Sequence, residues 1–169
     1  PTPQSLLVRI VTPLVAVGAL AVLVRSLIAG TVLPGVVLGI GTLALQIGAW
    51  LGLALVMPAI AHQFHAEVSD RHSFAIATYA SVPLWIAGLL YIVPEDPWFI
   101  FIWSRALVLL IALLGLVLLR RSFSSLGVER KIRTPLAIAT GGAYFTLYVF
   151  LSIVFGVVSN IFFMLTTPA

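Results

Sequence analysis

The sequence predicts an all-α, polytopic membrane protein, built as a bundle of five transmembrane helices. Three observations support this fold class: an unusually apolar composition, five long apolar windows, and the absence of strand-like alternation. The chain has 169 residues, of which 62% are hydrophobic and 8% are charged, and its mean hydropathy is +1.20. Soluble domains carry about 25% charged residues, and a soluble domain of this size could not bury so much apolar surface.

Each predicted span is an apolar window of the length that a membrane helix needs. A helix crosses the hydrocarbon core with about 20 mainly apolar residues. We expect spans at about 6–29, 35–61, 74–93, 98–119 and 135–163, within one domain covering 1–169. Transmembrane strands would alternate apolar and polar residues, and runs such as LVLLIALLGLVLL do not, so the sequence favours helices.

The segments between the spans are of two kinds, and the difference predicts the topology. GTVLPG (30–35) and PEDP (94–97) are short and contain proline, which is typical of tight helical hairpins. HQFHAEVSDRHS (62–73) and RRSFSSLGVERKIRT (120–134) are longer and polar. Seven of the nine basic residues fall on the side of these polar segments and of the N-terminus: Arg9, Arg71, Arg120, Arg121, Arg130, Lys131 and Arg133. The positive-inside rule therefore predicts a cytoplasmic N-terminus and an external C-terminus.

His62 and His65 raise the question of a metal site. Residues three apart on one helical face can chelate a metal ion together. However, zinc hydrolase helices usually read H-E-x-x-H, and the residues between these two histidines are Gln63 and Phe64. His72 would lie about 15 Å from His62 along a straight helix. We therefore interpret the histidines as solvated groups at the membrane surface, with a metal-dependent hydrolase as a weak alternative.

Two arginines, Arg25 and Arg105, lie inside apolar windows near the external side. A buried arginine is costly unless it reaches the interface or finds a partner, and Glu95 and Asp96 lie in the hairpin on the same side. These four residues predict an outer charge cluster that clamps the first span to the second hairpin. The alternative is a binding site for an anion or a lipid headgroup.

Small and polar residues within the spans suggest helix contacts or a polar path. Gly35 with Gly39, and Gly48 with Gly52, have the G-x-x-x-G spacing that allows close helix approach. A transporter of small solutes or lipids is a rival hypothesis. Its path would be lined by the charged and polar residues of the spans: Arg25, Arg105, Gln46, Tyr79, Tyr144 and Tyr148.

Five basic residues between the last two spans form a candidate cytoplasmic docking patch: Arg120, Arg121, Arg130, Lys131 and Arg133. Such a patch attracts anionic headgroups or an acidic protein, although setting the topology is a sufficient reason for it. The chain contains no cysteine, and it contains no Walker A motif, nucleotide fingerprint or G-x-S-x-G motif. We expect a non-enzymatic protein without a cofactor and without nucleic acid as a partner.

The run SFAIATYASVPLWIAGLLYIVP (73–94) resembles the centre of the Yip1 domain family. The similarity rests on Ser73-Phe74, Tyr79-Ala80, Pro83 and Val93-Pro94, and on the later run LGLVLLRRSFSSLGVERKIRTPLAIA (114–139). It covers about residues 5–165. This chain has Ser69-Asp70-Arg71-His72 where many bacterial members have glycines. We expect it to have no counterpart of the long N-terminal region through which eukaryotic members bind GTPases. The resemblance implies a bacterial-type member with five spans and no enzymatic activity.

Together these observations predict a scaffold or accessory subunit of a bacterial inner membrane. Its expected partners are membrane lipids and either another membrane protein or further copies of itself.

Overall fold

The computed structural model describes residues 5, 7–93 and 98–166, and its regular structure in these ranges is entirely helical. The helices in chain order are α1 (Thr12–Ile28), α2 (Val32–Gln63), α3 (Asp70–Ala87), α4 (Trp98–Ser125) and α5 (Arg130–Thr166). A π-helical turn, Leu7–Val11, precedes α1, and a 3₁₀ turn, Gly88–Ile92, continues α3. The predicted all-α fold class is confirmed.

Four segments of the described chain are long and apolar enough to cross a membrane. They are Val8–Ile28, Val32–Gln63, Asp70–Ile92 and Arg130–Phe162. This confirms the predicted character of a polytopic membrane protein. Helix α4 coincides with the fourth predicted window, 98–119, but it is not among these four, so the count of five spans stays a prediction.

The helices extend beyond the apolar windows, and the polar connectors are shorter than the sequence suggested. Helix α4 runs to Ser125 and α5 begins at Arg130, so most of the predicted loop RRSFSSLGVERKIRT is helical. Helix α3 begins at Asp70, four residues before the predicted span. Hydropathy indicates which residues lie in the hydrocarbon core, but it does not indicate where a helix ends. A helix continues until the backbone leaves helical geometry, as it does after α4 at Gly127, whose φ is 75°.

We call the two ends of the bundle the basic end and the hairpin end. The basic end holds the connectors 64–69 and 126–129, and the hairpin end holds the turn 29–31 and the end of the 3₁₀ turn at Ile92. Successive helices run between these ends in alternating directions. Helix α2 has 32 residues, about 48 Å of helix, so it is longer than the hydrocarbon core is thick.

Glycines of α2 allow two neighbours to pack closely against it. A side chain at Gly35 would collide with Ser26 of α1, and one at Gly39 would press on Leu23 of the same helix. On the other side of α2, side chains at Gly48 and Gly52 would meet leucines of α5. Both predicted G-x-x-x-G pairs therefore lie at helix contacts within this chain, the first between α2 and α1 and the second between α2 and α5.

The interior combines large apolar side chains with one well-ordered polar pair. Trp50 of α2 and Trp85 of α3 are each 1% exposed. The Trp50 indole N–H donates to the Thr78 hydroxyl at 3.0 Å, and the Thr78 hydroxyl donates to the Phe74 carbonyl at 2.7 Å. Buried polar groups are stable in apolar surroundings when they are hydrogen-bonded in this way.

Helix α1 meets the 3₁₀ turn at two glycines, Gly18 and Gly88. A Cβ atom at Gly88 would lie 2.8 Å from the Cα of Gly18, and a Cβ atom at Gly18 would lie 2.9 Å from the Gln46 Nε2. Only residues without a side chain permit this backbone approach. The contact therefore fixes the 3₁₀ turn against α1, with the amide of Gln46 beside it.

Replacing Gly88 by alanine is expected to lower the free energy of unfolding by about 1 to 3 kcal/mol, because the added methyl group meets backbone atoms that cannot move independently. Gly142→Ala is the matched control, since a Cβ atom there has nothing within 4 Å. That variant should be neutral or gain up to about 1 kcal/mol from helix propensity. Thermal unfolding in a mild detergent measures both. Equal stability of the two variants would contradict the close Gly18–Gly88 contact.

The Trp50–Thr78 hydrogen bond can be tested with two threonine-to-valine variants. Thr78→Val leaves a buried N–H without its acceptor, so we expect a loss of about 1 to 3 kcal/mol. Thr140 is also fully buried, but its Oγ1 has no hydrogen-bond partner in the described part of the chain. Thr140→Val should therefore leave the stability unchanged or raise it. Denaturant titrations in detergent compare the two, and an equal loss in both would refute the assignment.

Candidate functional site

A cavity of about 420 Å³ opens at the hairpin end between α1, α2, the 3₁₀ turn and α5. Its volume lies within the range of ordinary ligand sites. Its polar lining residues are Arg25, Ser26, Thr31, Thr42, Tyr91 and Tyr148. Its apolar lining residues are Val22, Ala29, Leu38, Leu45 and Phe155.

Arg25 is the one charged residue among the described residues that line this cavity. It lies in the last turn of α1, and its backbone carbonyl accepts a hydrogen bond from Ala29 N–H at 3.0 Å. The position is about one helical turn below the end of the helix, from which a long arginine side chain can reach the interface. Arg25 therefore contributes a positive charge to the lining of the cavity.

Two tyrosines from distant parts of the chain meet on the cavity wall. The hydroxyl groups of Tyr91 and Tyr148 are 3.0 Å apart and form a hydrogen bond. Tyr91 belongs to the 3₁₀ turn and Tyr148 to α5, so this bond joins the two elements. Phe155 lies on the same helix as Tyr148 and packs over Gly41 of α2, where any side chain would overlap its ring.

Polar and apolar side chains alternate along the α2 wall of the cavity. Thr31 lies at the turn, and Leu38, Thr42 and Leu45 follow at helical spacing on one face. The Thr42 hydroxyl donates to the Leu38 carbonyl at 2.8 Å, which satisfies its proton within the helix. Leu45 lies 14 positions after Thr31, about 21 Å along the helix. Such a lining suits an elongated molecule with both polar and apolar parts.

The predicted outer charge cluster is placed only in part. Arg25 lines the cavity. Glu95 and Asp96 lie outside the described residues, and Arg105 lies within α4 at a position whose side chain the structure does not describe. The clamp of four charges therefore stays a prediction.

The described residues that were predicted to line a transport path lie in different parts of the molecule, and the side chain of Arg105 is outside the described residues. Arg25 and Tyr148 meet in the cavity, whereas Gln46 is 2% exposed in the interior, next to Gly18. Tyr79 is 51% exposed on the outer surface of α3. In the described part of the chain, four buried polar atoms have no hydrogen-bond partner: Gln46 Oε1, Ser81 Oγ, Trp85 Nε1 and Thr140 Oγ1.

The predicted docking patch lies on helix ends at the basic end. Arg120 and Arg121 are exposed near the end of α4, and Arg130 and Lys131 are exposed in the first turn of α5. Arg133 is half-buried, and its Nε donates to the Val128 carbonyl at 2.6 Å. Arg133 thus stabilises the connector 126–129, and the other four cations remain on the surface.

The two candidate metal ligands do not share a helical face. Helix α2 ends at Gln63, and His65 follows in the turn with φ 55°. His72 lies in the first turn of α3, where its Nδ1 is 2.8 Å from the Ser69 hydroxyl. In the part of the chain that the structure describes, no group of three or more His, Cys, Asp or Glu residues is placed to hold a metal ion.

Sequence reasoning missed several lining residues of the cavity. Tyr91, Ser26, Thr31 and Thr42 belong to none of the sites that the sequence predicted. Tyr91 and Tyr148 are separated by 57 positions, so no local spacing could connect them. Comparisons with protein-family models, with curated proteins and with solved structures found no match for this chain.

A double-mutant cycle tests the tyrosine bond. Tyr91→Phe and Tyr148→Phe each remove one hydroxyl group, and we expect a coupling energy of about 0.5 to 1.5 kcal/mol, typical of one hydrogen bond. The control cycle pairs Tyr148→Phe with Tyr79→Phe, which changes an exposed residue of α3, and it should give no coupling. Unfolding free energies in detergent supply both values. Additive effects in the first cycle would show that the two hydroxyl groups do not interact.

Proposed function

We propose that this protein is a non-enzymatic accessory subunit or scaffold of a membrane, and that it binds a lipid or another amphiphile in the cavity at the hairpin end. One observation carries the proposal: the cavity lining combines polar residues, among them Arg25, with the apolar side chains of Leu38, Leu45 and Phe155. Binding sites for small molecules are typically concave and mostly apolar, with a few polar groups that fix orientation.

In the proposed topology, α4 is the fourth of five spans and the basic end faces the cytoplasm of a bacterial cell. The exposed cations Arg120, Arg121, Arg130 and Lys131 at one end support this orientation. The same cations are the proposed docking surface for a membrane-protein partner with an acidic cytoplasmic segment. The resemblance of 73–94 to the Yip1 domain family supports assignment to a bacterial inner membrane.

The non-enzymatic role follows from the sequence, which contains no cysteine and no motif of a nucleophile or nucleotide site. A transporter is the second candidate. It is supported by the buried polar atoms of Gln46, Ser81 and Thr140 inside apolar helices, because polar groups within spans often mark substrate paths.

The cavity proposal is tested by filling the cavity with a larger side chain. Leu38 lines the cavity, and Ile40 lies two residues away with 66% exposure on the outer surface of α2. We expect the unmodified protein, purified in mild detergent, to retain one lipid in native mass spectrometry. Leu38→Trp should lose this lipid, whereas Ile40→Trp, the matched control, should keep it.

Either of two results would contradict the proposal: no retained lipid in the unmodified protein, or equal retention in both tryptophan variants. Thermal unfolding of the two variants confirms that each is folded before the spectra are compared.

The proposed topology predicts which positions are accessible from outside the cell. Because the chain has no cysteine, single substitutions give one reactive site each. A membrane-impermeant maleimide should label Thr31→Cys in intact cells. It should label Ser69→Cys and Ser124→Cys only after permeabilisation. Labelling of Ser124→Cys in intact cells, together with Thr31→Cys, would show that α4 does not cross the membrane.

A further inference from the structure

We propose that the bridge between Tyr91 and Tyr148 is the gate of the hairpin-end cavity, through which an amphiphile enters sideways from the bilayer. This inference rests on the proposed function, in which the cavity binds such a molecule, and it adds the route of entry. The gate opens when the two hydroxyl groups separate and the 3₁₀ turn moves away from α5.

Four elements surround the cavity in the order α1, α2, α5 and the 3₁₀ turn, and three of the four seams between them are packed at glycines. A side chain at Gly35 of α2 would collide with α1, and one at Gly41 would overlap Phe155 of α5. Between the turn and α1, a Cβ atom at Gly88 would lie 2.8 Å from the Cα of Gly18. Such close contacts hold neighbouring helices together in a membrane.

The fourth seam, between the 3₁₀ turn and α5, is spanned by the tyrosine bridge. The Tyr91 and Tyr148 hydroxyl groups are 3.0 Å apart, and both side chains line the cavity. Tyrosine has a long side chain, so a bridge through two of them joins backbones that lie farther apart than backbones in contact at glycines. Since a hydrogen bond between two neutral hydroxyl groups is modest in strength, this seam is the easiest of the four to open.

The 3₁₀ turn has the properties of a movable element that is fixed at one end. It contains five residues, Gly88–Ile92, and 3₁₀ hydrogen bonds have poorer geometry than those of an α-helix. Leu89 and Ile92 are 56% and 44% exposed, so the turn packs on one side only. The contact of Gly88 with Gly18 is the pivot, and Tyr91, three residues later, lies on the part that moves.

Entry through this seam keeps the apolar part of an amphiphile out of water. A molecule that entered from the hairpin end would carry its apolar part through the aqueous phase, which is unfavourable. The glycine contacts of α4 do not lock the seam, because they lie nearer the basic end. A side chain at Gly115 would meet the Ala80 carbonyl, and one at Gly141 would meet Leu116. Gly141 precedes Tyr148 by seven positions, about 10 Å along the helix.

The gate is tested by the rate at which two maleimides reach a thiol inside the cavity. Thr42→Cys places that thiol on the cavity wall, and it is the only one because the chain has no cysteine. In lipid nanodiscs, adding Tyr148→Phe should raise the labelling rate with lipid-soluble pyrene maleimide about two- to tenfold, the factor that one neutral hydrogen bond provides. The rate with a charged, membrane-impermeant maleimide should not change, because that probe enters from the hairpin end.

Two further variants control for effects that do not involve the bridge. Tyr91→Phe removes the other half of the same hydrogen bond, so it should raise the rate as much as Tyr148→Phe does, and the double variant should add nothing. It also keeps the gate testable if one of the two variants does not fold. Tyr79→Phe is the matched control, since it removes an exposed hydroxyl group from the outer surface of α3. It should leave both rates unchanged.

The outcomes separate this inference from the proposed function. An equal increase for both maleimides, or no increase for either, would overturn the gate. If native mass spectrometry still detected a retained lipid that Leu38→Trp loses, the cavity proposal would stand without it. Conversely, faster labelling by pyrene maleimide alone would support the gate even if no lipid were retained, and the proposed function would then fail by itself.

Discussion

The contact between Gly18 and Gly88 is the constraint on which the hairpin end depends. Because neither residue has a side chain, the backbone of the 3₁₀ turn packs directly against α1, with the Gln46 amide beside the contact. This close approach holds the turn in the bundle. Three residues later, Tyr91 reaches Tyr148 of α5 and forms the wall of the cavity that Arg25 lines. Backbone packing of this kind is a main source of stability between helices in a membrane, where the hydrophobic effect contributes little to helix association.

The two ends of the bundle differ in the way they place positive charge. At the basic end, four cations are exposed on helix ends, and Arg133 donates to the connector carbonyl of Val128. Three of the five basic residues there lie in the first turn of α5, where the helix dipole disfavours cations, so local helix stability does not explain them. Attraction to anionic headgroups and orientation in the membrane are sufficient reasons. At the hairpin end, by contrast, Arg25 lines a cavity.

Hydropathy was enough to predict an all-helical membrane protein, because about 20 consecutive apolar residues without strand-like alternation are typical of a transmembrane helix. It could not predict where the helices end, since those ends depend on backbone geometry at residues such as Gly127. Local sequence patterns also could not predict that Arg25 lines the same cavity as Tyr91 and Tyr148. Tyr91 and Tyr148 come from separate helices, and their contact depends on the Gly18–Gly88 crossing. The sequence suggested acidic partners for Arg25 because Glu95 and Asp96 are close to a predicted turn, and that cluster stays a prediction.

A structure of the protein determined in lipid nanodiscs that contain phosphatidylglycerol tests the central claim most directly. The account predicts elongated density of a lipid or another amphiphile in the hairpin-end cavity, with its apolar part against Leu38 and Phe155. A cavity closed by rearranged side chains, with no lipid between α1, α2 and α5, would contradict it.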